Sequence, residues 1–292
     1  NYDARTEFNK NYKAAPAAVQ VQAVSDLQKE IRDLGVSYND ETGVTRSILN
    51  YMGYLTGPAP AGTEPAAIGL GFVRNHLGLL GLSEEDLADY ETTDTVYSAV
   101  SGATYVYLRQ RHAGLPLYNG QLHFGIGKEG RILIVNNAFL PGLAAAVNAT
   151  SPALSAADAV LSAARHIGVD GATPSVRSEA DGAQQVTKLD APGISREPVE
   201  AKLMLLPIRQ GDARLVWNFQ IYTRDSQHVY DMNVDAVDGR VWTRIDWVAS
   251  DSYRVYIRPV QPPTFTTALP PADGRVTVAN PANAQASPFG WH

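Results

Sequence analysis

The sequence predicts an α+β protein: two tandem units, each a helix laid against an antiparallel sheet, with an N-terminal helical extension and an extended C-terminal segment. Three observations carry this. A helix-spaced stretch followed by alternating strand text occurs over residues 61–145 and again over 151–248. The closing strands of the two runs share a wording, "FGIGKEGRILIVNN" (124–137) and "NVDAVDGRVWTRID" (233–246), in which a Gly-containing turn joins two strands. With 292 residues and 45% apolar content, the chain is long enough for two packed units.

Residues 1–60 form the expected extension, carried by "APAAVQVQAVSDLQKEIRDLG". There Val21, Val24, Leu27, Ile31 and Leu34 recur at helical spacing, and Gly35 is the expected stop. "TGPAPAGTEP" (56–65) reads as a linker, and Pro65 suits the first turn of a second helix with Ile68, Phe72, Leu77 and Leu80 on its apolar stripe. In the strand "ATYVYLRQRHAG", Tyr105, Tyr107, Arg109 and Arg111 alternate with Val106, Leu108 and Gln110. Val106, Leu108, Leu133 and Val135 are expected to face inward.

The second unit starts afresh with "SPALSAADAVLSAARHIG", Ser151 as N-cap, Pro152 just inside and Gly168 as the stop. Residues 170–198 read as a polar spacer before four strands, with Trp217 and Phe219 in the second core. Residues 252–292 are Pro-rich and repeat nothing upstream. A start at Asn1 without Met and an end at Trp291-His292 are expected of a trimmed product.

Most chemistry is excluded by what the residues lack. Net charge is −6 with the 24 Lys and Arg scattered, so neither nucleic acid nor membrane is an expected partner. The longest apolar run, "AIGLGFVRNHLGLLGL", is broken by Arg74, Asn75 and His76, short of the roughly 18 residues of a span. There is no cysteine. No two of the six histidines lie three or four residues apart, so a zinc-binding helix face is missing. His76 and His166 fall near helix ends, where the dipole favours a protonated imidazole, and His112 falls at a strand end. Gly125, Gly127 and Gly130 lie in a hairpin rather than before a helix, which argues against phosphate binding. Asp231, Asp235 and Asp238 are the best calcium candidates, but their spacing matches no EF-hand and suits a turn as well. No catalytic and no metal-ligating residue is expected in this chain.

The strand text carries a resemblance. "GLSEEDL" followed by "ATYVYLRQRHAGLPLYNGQLHFGIGKEGRILIVNNAFL" resembles the fungalysin/thermolysin propeptide motif. Its positions here are Tyr107, Arg109 and Gln110, then Gly114, Leu115, Pro116 and Asn119, then Glu129, Gly130, Arg131, Leu133, Asn136 and Phe139. Glu129 replaces the usual Asp of the turn, and Gly120 stands where Ala is typical. The second unit, with Asp238 and Gly239 in "VDAVDGRVWTRIDWV", is similar to the later, PepSY-like half of propeptides of the fungalysin (M36) zinc metallopeptidases.

The resemblance implies two cystatin-like units forming a secreted, extracellular pro-region, which templates folding of its own mature metallopeptidase domain and blocks it until cleaved. It implies no cofactor in this chain and zinc in the partner catalytic domain, whose first residues would be 252–292. Maturation is expected at the small polar connector Ala249, Ser250, Asp251 and Ser252, between Ala249 and Tyr253. The alternatives are a free-standing secreted inhibitor or binding module, and part of an active metallopeptidase whose catalytic portion lies elsewhere.

Overall fold

The computed structural model describes residues 1–171 and 173–248, with two further strands at 252–255 and 276–279. The protein is mixed α and β. Helices α1 (Ala4–Phe8), α2 (Ala18–Glu30), α3 (Pro65–Asn75), α4 (Leu77–Leu80), α5 (Leu143–Ala146) and α6 (Ala156–His166) alternate with strands. The strands are β1 (Tyr2–Asp3), β2 (Leu34–Tyr38), β3 (Thr45–Asn50), β4 (Tyr90–Ser98), β5 (Ala103–His112), β6 (Leu115–Ile126) and β7 (Ile132–Asn137). They continue as β8 (Ser175–Glu179), β9 (Thr187–Asp190), β10 (Val199–Arg209), β11 (Asp212–Tyr222), β12 (Val229–Asp235), β13 (Val241–Asp246), β14 (Ser252–Val255) and β15 (Val276–Ala279).

Alternation assigns the first core. Val106, Phe124, Val135, Ile48 and Val36 stand opposite one another across β5, β6, β7, β3 and β2, and α3 packs on them with Leu70, Phe72 and Val73. In the second core α6 presents Ala159, Val160, Ala163 and Ala164 to Leu203, Leu205, Trp217, Phe219, Met232 and Val234. The row of alanines on α6 lets the helix approach the sheet closely. Val106, Leu108, Val135, Trp217 and Phe219 are all buried, as alternation requires.

The two helix-and-sheet halves are continuous, which the repeat in the text does not suggest. Their strands form one ordered run, β2-β3-β7-β6-β10-β11-β12-β13-β1, with β4 on β5, β5 on β6, and β8 and β9 beside β10. The connection is a parallel pairing of Leu117 in β6 with Leu205 in β10.

Several expectations are corrected. Residues 1–60 are more than a helical extension: β2 and β3 form a hairpin that pairs onto β7, and β1 pairs onto β13. Helix α2 ends at Glu30, and Leu34 and Gly35 lie in β2, because β3 offers that stretch a ladder. Ser155, not Ser151, caps α6; its hydroxyl accepts from Asp158 N–H while the Asp158 carboxylate accepts from Ser155 N–H, a complete capping box. The spacer contains a hairpin, β8–β9. Leu133 is half-buried and Ile132 takes its place inside, because the β6–β7 register shifts at Gly125/Ile126 and leaves Leu133 as the extra residue.

Leu117, at the connection, is fully buried in the second core. Leu117→Ala is expected to cost about 2–5 kcal/mol of unfolding free energy, whereas Leu133→Ala, at the bulge, costs less than about 1 kcal/mol. Urea denaturation of the two variants checks the difference.

Candidate functional site

Of the predicted motif residues, Gln110 and Asn119 meet where β6 leaves the first sheet. β5 turns into β6 through Ala113 and Gly114, both at positive φ, as a tight two-residue hairpin requires. Arg111 pairs with Pro116 and Arg109 with Gln121, so Gln110 alone stands opposite four residues, Leu117 to Gly120. Those four swing out to meet β10. Leu117 enters the second core, and Tyr118, pointing to the opposite face, joins Ala4, Met204, Leu206, Ile208, Val216 and Trp242 in a third apolar cluster. Asn119 is exposed at φ 56°, and a Cβ on Gly120 would overlap the Leu117 side chain. Glycine at 120, where the motif favours Ala, is thus required by the tightness of this turn-back.

Gln110 fills the space behind the excursion. It is buried; its Oε1 accepts from Leu140 N–H at 2.8 Å and its Nε2 donates to Leu140 C=O at 3.1 Å. Asp86 completes the bracket. Its carboxylate accepts from Ser83 N–H and hydroxyl and from Gly142 N–H at 2.7 Å. Two buried polar side chains therefore hold the chain that leads out of the first unit, 140–142, by its backbone. Tyr107 and Arg109 point the other way. Tyr107 leans on His123 at 5.1 Å, and Arg109 faces Glu91 at 3.7 Å, a half-buried pair at long range and of small energetic weight.

Gly130 and the pair Asp238-Gly239 belong to the two hairpin ends. Glu129 and Gly130 are both left-handed, and a Cβ on Gly130 would lie 2.7 Å from Ala59 Cβ, so only glycine fits against the linker. At the second hairpin Gly239 has φ 78°, and Asp238 accepts from Arg240 N–H. The organiser there is Asp235, buried and accepting from Val237 N–H, Asp238 N–H and Trp242 Nε1. It is a turn residue, and Asp231 is engaged elsewhere. Among the described residues no group of three or more His, Asp or Glu converges as a metal site, so the calcium trio does not form.

Asp231 is the polar group that sequence reasoning undervalued. It is buried on the outer face of the second sheet, accepting from Asn218 Nδ2 at 2.8 Å and from the Tyr118 hydroxyl at 3.2 Å. Asn218 reaches on to Asn233, which donates to Thr243. Burial pushes the Asp231 carboxyl above its ordinary range, only partly offset by the two donors and by Lys202. Burial, reinforced by the Asp231 charge, pushes Tyr118 up to about 12, which keeps it a donor. Tyr118 thereby ties the excursion of β6 to β12.

The histidines divide. His76 Nδ1 lies 2.7 Å from Phe72 C=O, its ring stacked on Phe72 at the end of α3. His166 ends α6 against Tyr2, and burial, then Arg244, lowers its pKa, opposite to the dipole expectation. Ala249, Ser250 and Asp251 of the expected junction lie outside the described residues; Ser252 opens β14, paired with β15.

The Fungalysin/Thermolysin Propeptide Motif model matches residues 88–139, the span of β4 to β7 with its excursion. Beyond this motif the chain is similar to proteins named extracellular metalloproteinases. It is 29% identical over 209 residues to the extracellular metalloproteinase MEP of Leptosphaeria maculans, covering 70% of this chain and 31% of that protein. To extracellular metalloproteinase 5 of Arthroderma otae it is 28% identical, covering 69% and 31%, and to extracellular metalloproteinase 2 of Phaeosphaeria nodorum 28%, covering 67% and 30%. The chain thus spans about a third of the length of these relatives. Among solved structures the Bacillus megaterium YpeB C-terminal domain aligns with a TM-score of 0.31 at 8% identity, covering 80% of this chain and 98% of that one, too loosely to carry an argument.

Two predictions test the bracket and the carboxyl. Gln110→Leu keeps the volume but leaves both backbone groups of Leu140 unpaired, and is expected to cost about 1–3 kcal/mol in chemical denaturation. For Asp231, a folded pKa above the unfolded value means that the native state holds the proton more tightly. Its penalty is therefore present in full above the folded pKa and disappears as pH falls below the unfolded value. Asp231→Asn is expected to raise the melting temperature at neutral pH and to flatten the stability profile on the acid side, as followed by thermal melts across pH.

Proposed function

We propose that this chain is the pro-region of a secreted zinc metallopeptidase, acting as folding template and inhibitor for the catalytic domain of the same precursor. The observation that carries the reading is the propeptide motif over β4 to β7 in a chain whose relatives are named extracellular metalloproteinases. The finer division into a first motif unit over 61–145 and a second, PepSY-like, cystatin-like unit over 151–248 belongs to the same reading. So does extracellular location.

Physically, a surface that binds the folded protease and not the unfolded one stabilises it by mass action, and does so without a catalytic residue of its own. Gln110, Asn119, Gly130 and Gly239 serve this role indirectly, by fixing the shape that is presented. Zinc belongs to the partner domain. Cleavage between Ala249 and Tyr253, after β13 ends at Asp246, would release the pro-region with both cores intact.

Titration of the purified chain into the mature protease of its own precursor tests this. Loss of peptidase activity at micromolar pro-region is the expected result, and full activity removes the inhibitory role. N-terminal sequencing of the active protease checks the junction: the first residue is expected within Ala249–Tyr253, and a start beyond Pro270 refutes it.

A further inference from the structure

The first sheet has two faces, and only one is accounted for by the core. On the inner face stands the row Val106, Phe124, Val135 and Ile48 beneath α3. One residue along, the register aligns a second row on the outer face: Val96, Tyr105, Gly125, Ile134, Leu49 and Gly35, each opposite the next across six strands. Its large side chains belong to none of the three apolar clusters.

Val96 is 44% exposed, and Tyr51, whose ring reaches over Gly35, is 71% exposed. Tyr105 and Ile134 lean over Gly125, each 3.1 Å from where a Cβ would stand. The result is a flat apolar shelf. Beside it runs a polar row, Asp94, Tyr107, His123, Asn136 and Ser47, in which Asn136 Nδ2 meets His123 Nε2 at 2.7 Å. Burial holds His123 toward the neutral imidazole.

We infer that this outer face of β4, β5, β6, β7 and β3 is the docking surface for the catalytic domain of the same precursor, with the apolar shelf at its centre and Tyr107, His123 and Asn136 as its polar margin. The inference rests on the pro-region reading and adds to it the place of contact. Three observations name the occupant. The propeptide-motif match falls on the four strands that make most of the face. Within the motif, Gln110 turns inward to a structural task while Tyr107 and Arg109 are directed outward and hold no part of the core. The chain covers about a third of relatives named as extracellular metalloproteinases, so most of their length lies outside the matched stretch. A row of half-exposed aromatic and aliphatic side chains with hydrogen-bonding groups along its margin also matches the apolar centre and polar rim of a protein interface.

The test measures binding of the purified chain to the mature protease of its own precursor. Ile134→Lys and Tyr107→Ala are each expected to weaken binding by roughly tenfold or more. Lys202→Glu, on the outer face of the second sheet, is expected to leave it unchanged. Circular dichroism and melting curves establish that each variant is folded. Chemical labelling of tyrosine and histidine in the wild-type complex gives a second readout free of substitution: Tyr107, Tyr105 and His123 are expected to lose reactivity on binding. Folded variants that bind as tightly as wild type, or unchanged labelling in a complex that forms, overturn the assignment of the face and leave the pro-region reading standing. A wild-type chain that does not bind its protease overturns both.

Discussion

The structure depends on one strand serving two sheets. β6 begins as the return arm of a hairpin with β5, leaves it for four residues to lie beside β10, and rejoins it at Gln121. An extended strand must direct successive side chains to opposite faces. Leu117 and Tyr118 therefore enter different clusters on the two sides of the second sheet, while Leu122 and Phe124 enter the core of the first. Remove the excursion and the two helix-and-sheet halves lose their shared strand.

Buried polar side chains tie down the chain around this excursion. Gln110 occupies the gap with both ends on Leu140, Asp86 holds Gly142, and Tyr118 carries its hydroxyl to Asp231. Each is buried, so removing any one of them leaves a partner group unpaired away from water. The same economy appears at the second hairpin, where Asp235 serves two backbone N–H groups and Trp242. These carboxylates and amides look catalytic in a residue list and are structural in place. The motif thus combines inward residues that set the shape with outward ones, Tyr107 and Arg109, that hold no part of the core.

What could be read in advance follows from periodicity. Val106 and Leu108 on β5, Trp217 and Phe219 on β11, and Pro65 at the start of α3 obey local rules, and local rules were sufficient there. Leu133 failed because one extra residue in β7 inverts an alternation that the text cannot show. Gly35 failed because a glycine after a helical pattern is an equally good helix stop and strand residue until β3 is brought alongside. His166 failed because burial, reinforced by Arg244 78 positions later, outweighs the helix end.

The sequence by itself determined the mixture of helix and antiparallel strand, the two cores, the hairpin turns and the likeness to a propeptide motif. All of these rest on interactions between residues close in the chain or on a repeating period. Tertiary structure decided that the halves share a strand, that the N-terminal hairpin completes the first sheet, and that Asp231 and Gln110 are buried. Those outcomes depend on pairings such as Leu117 with Leu205 and Tyr118 with Asp231, whose members are 88 and 113 residues apart. No local propensity encodes such a pairing. It is selected only when the whole sheet closes and brings such distant partners into register.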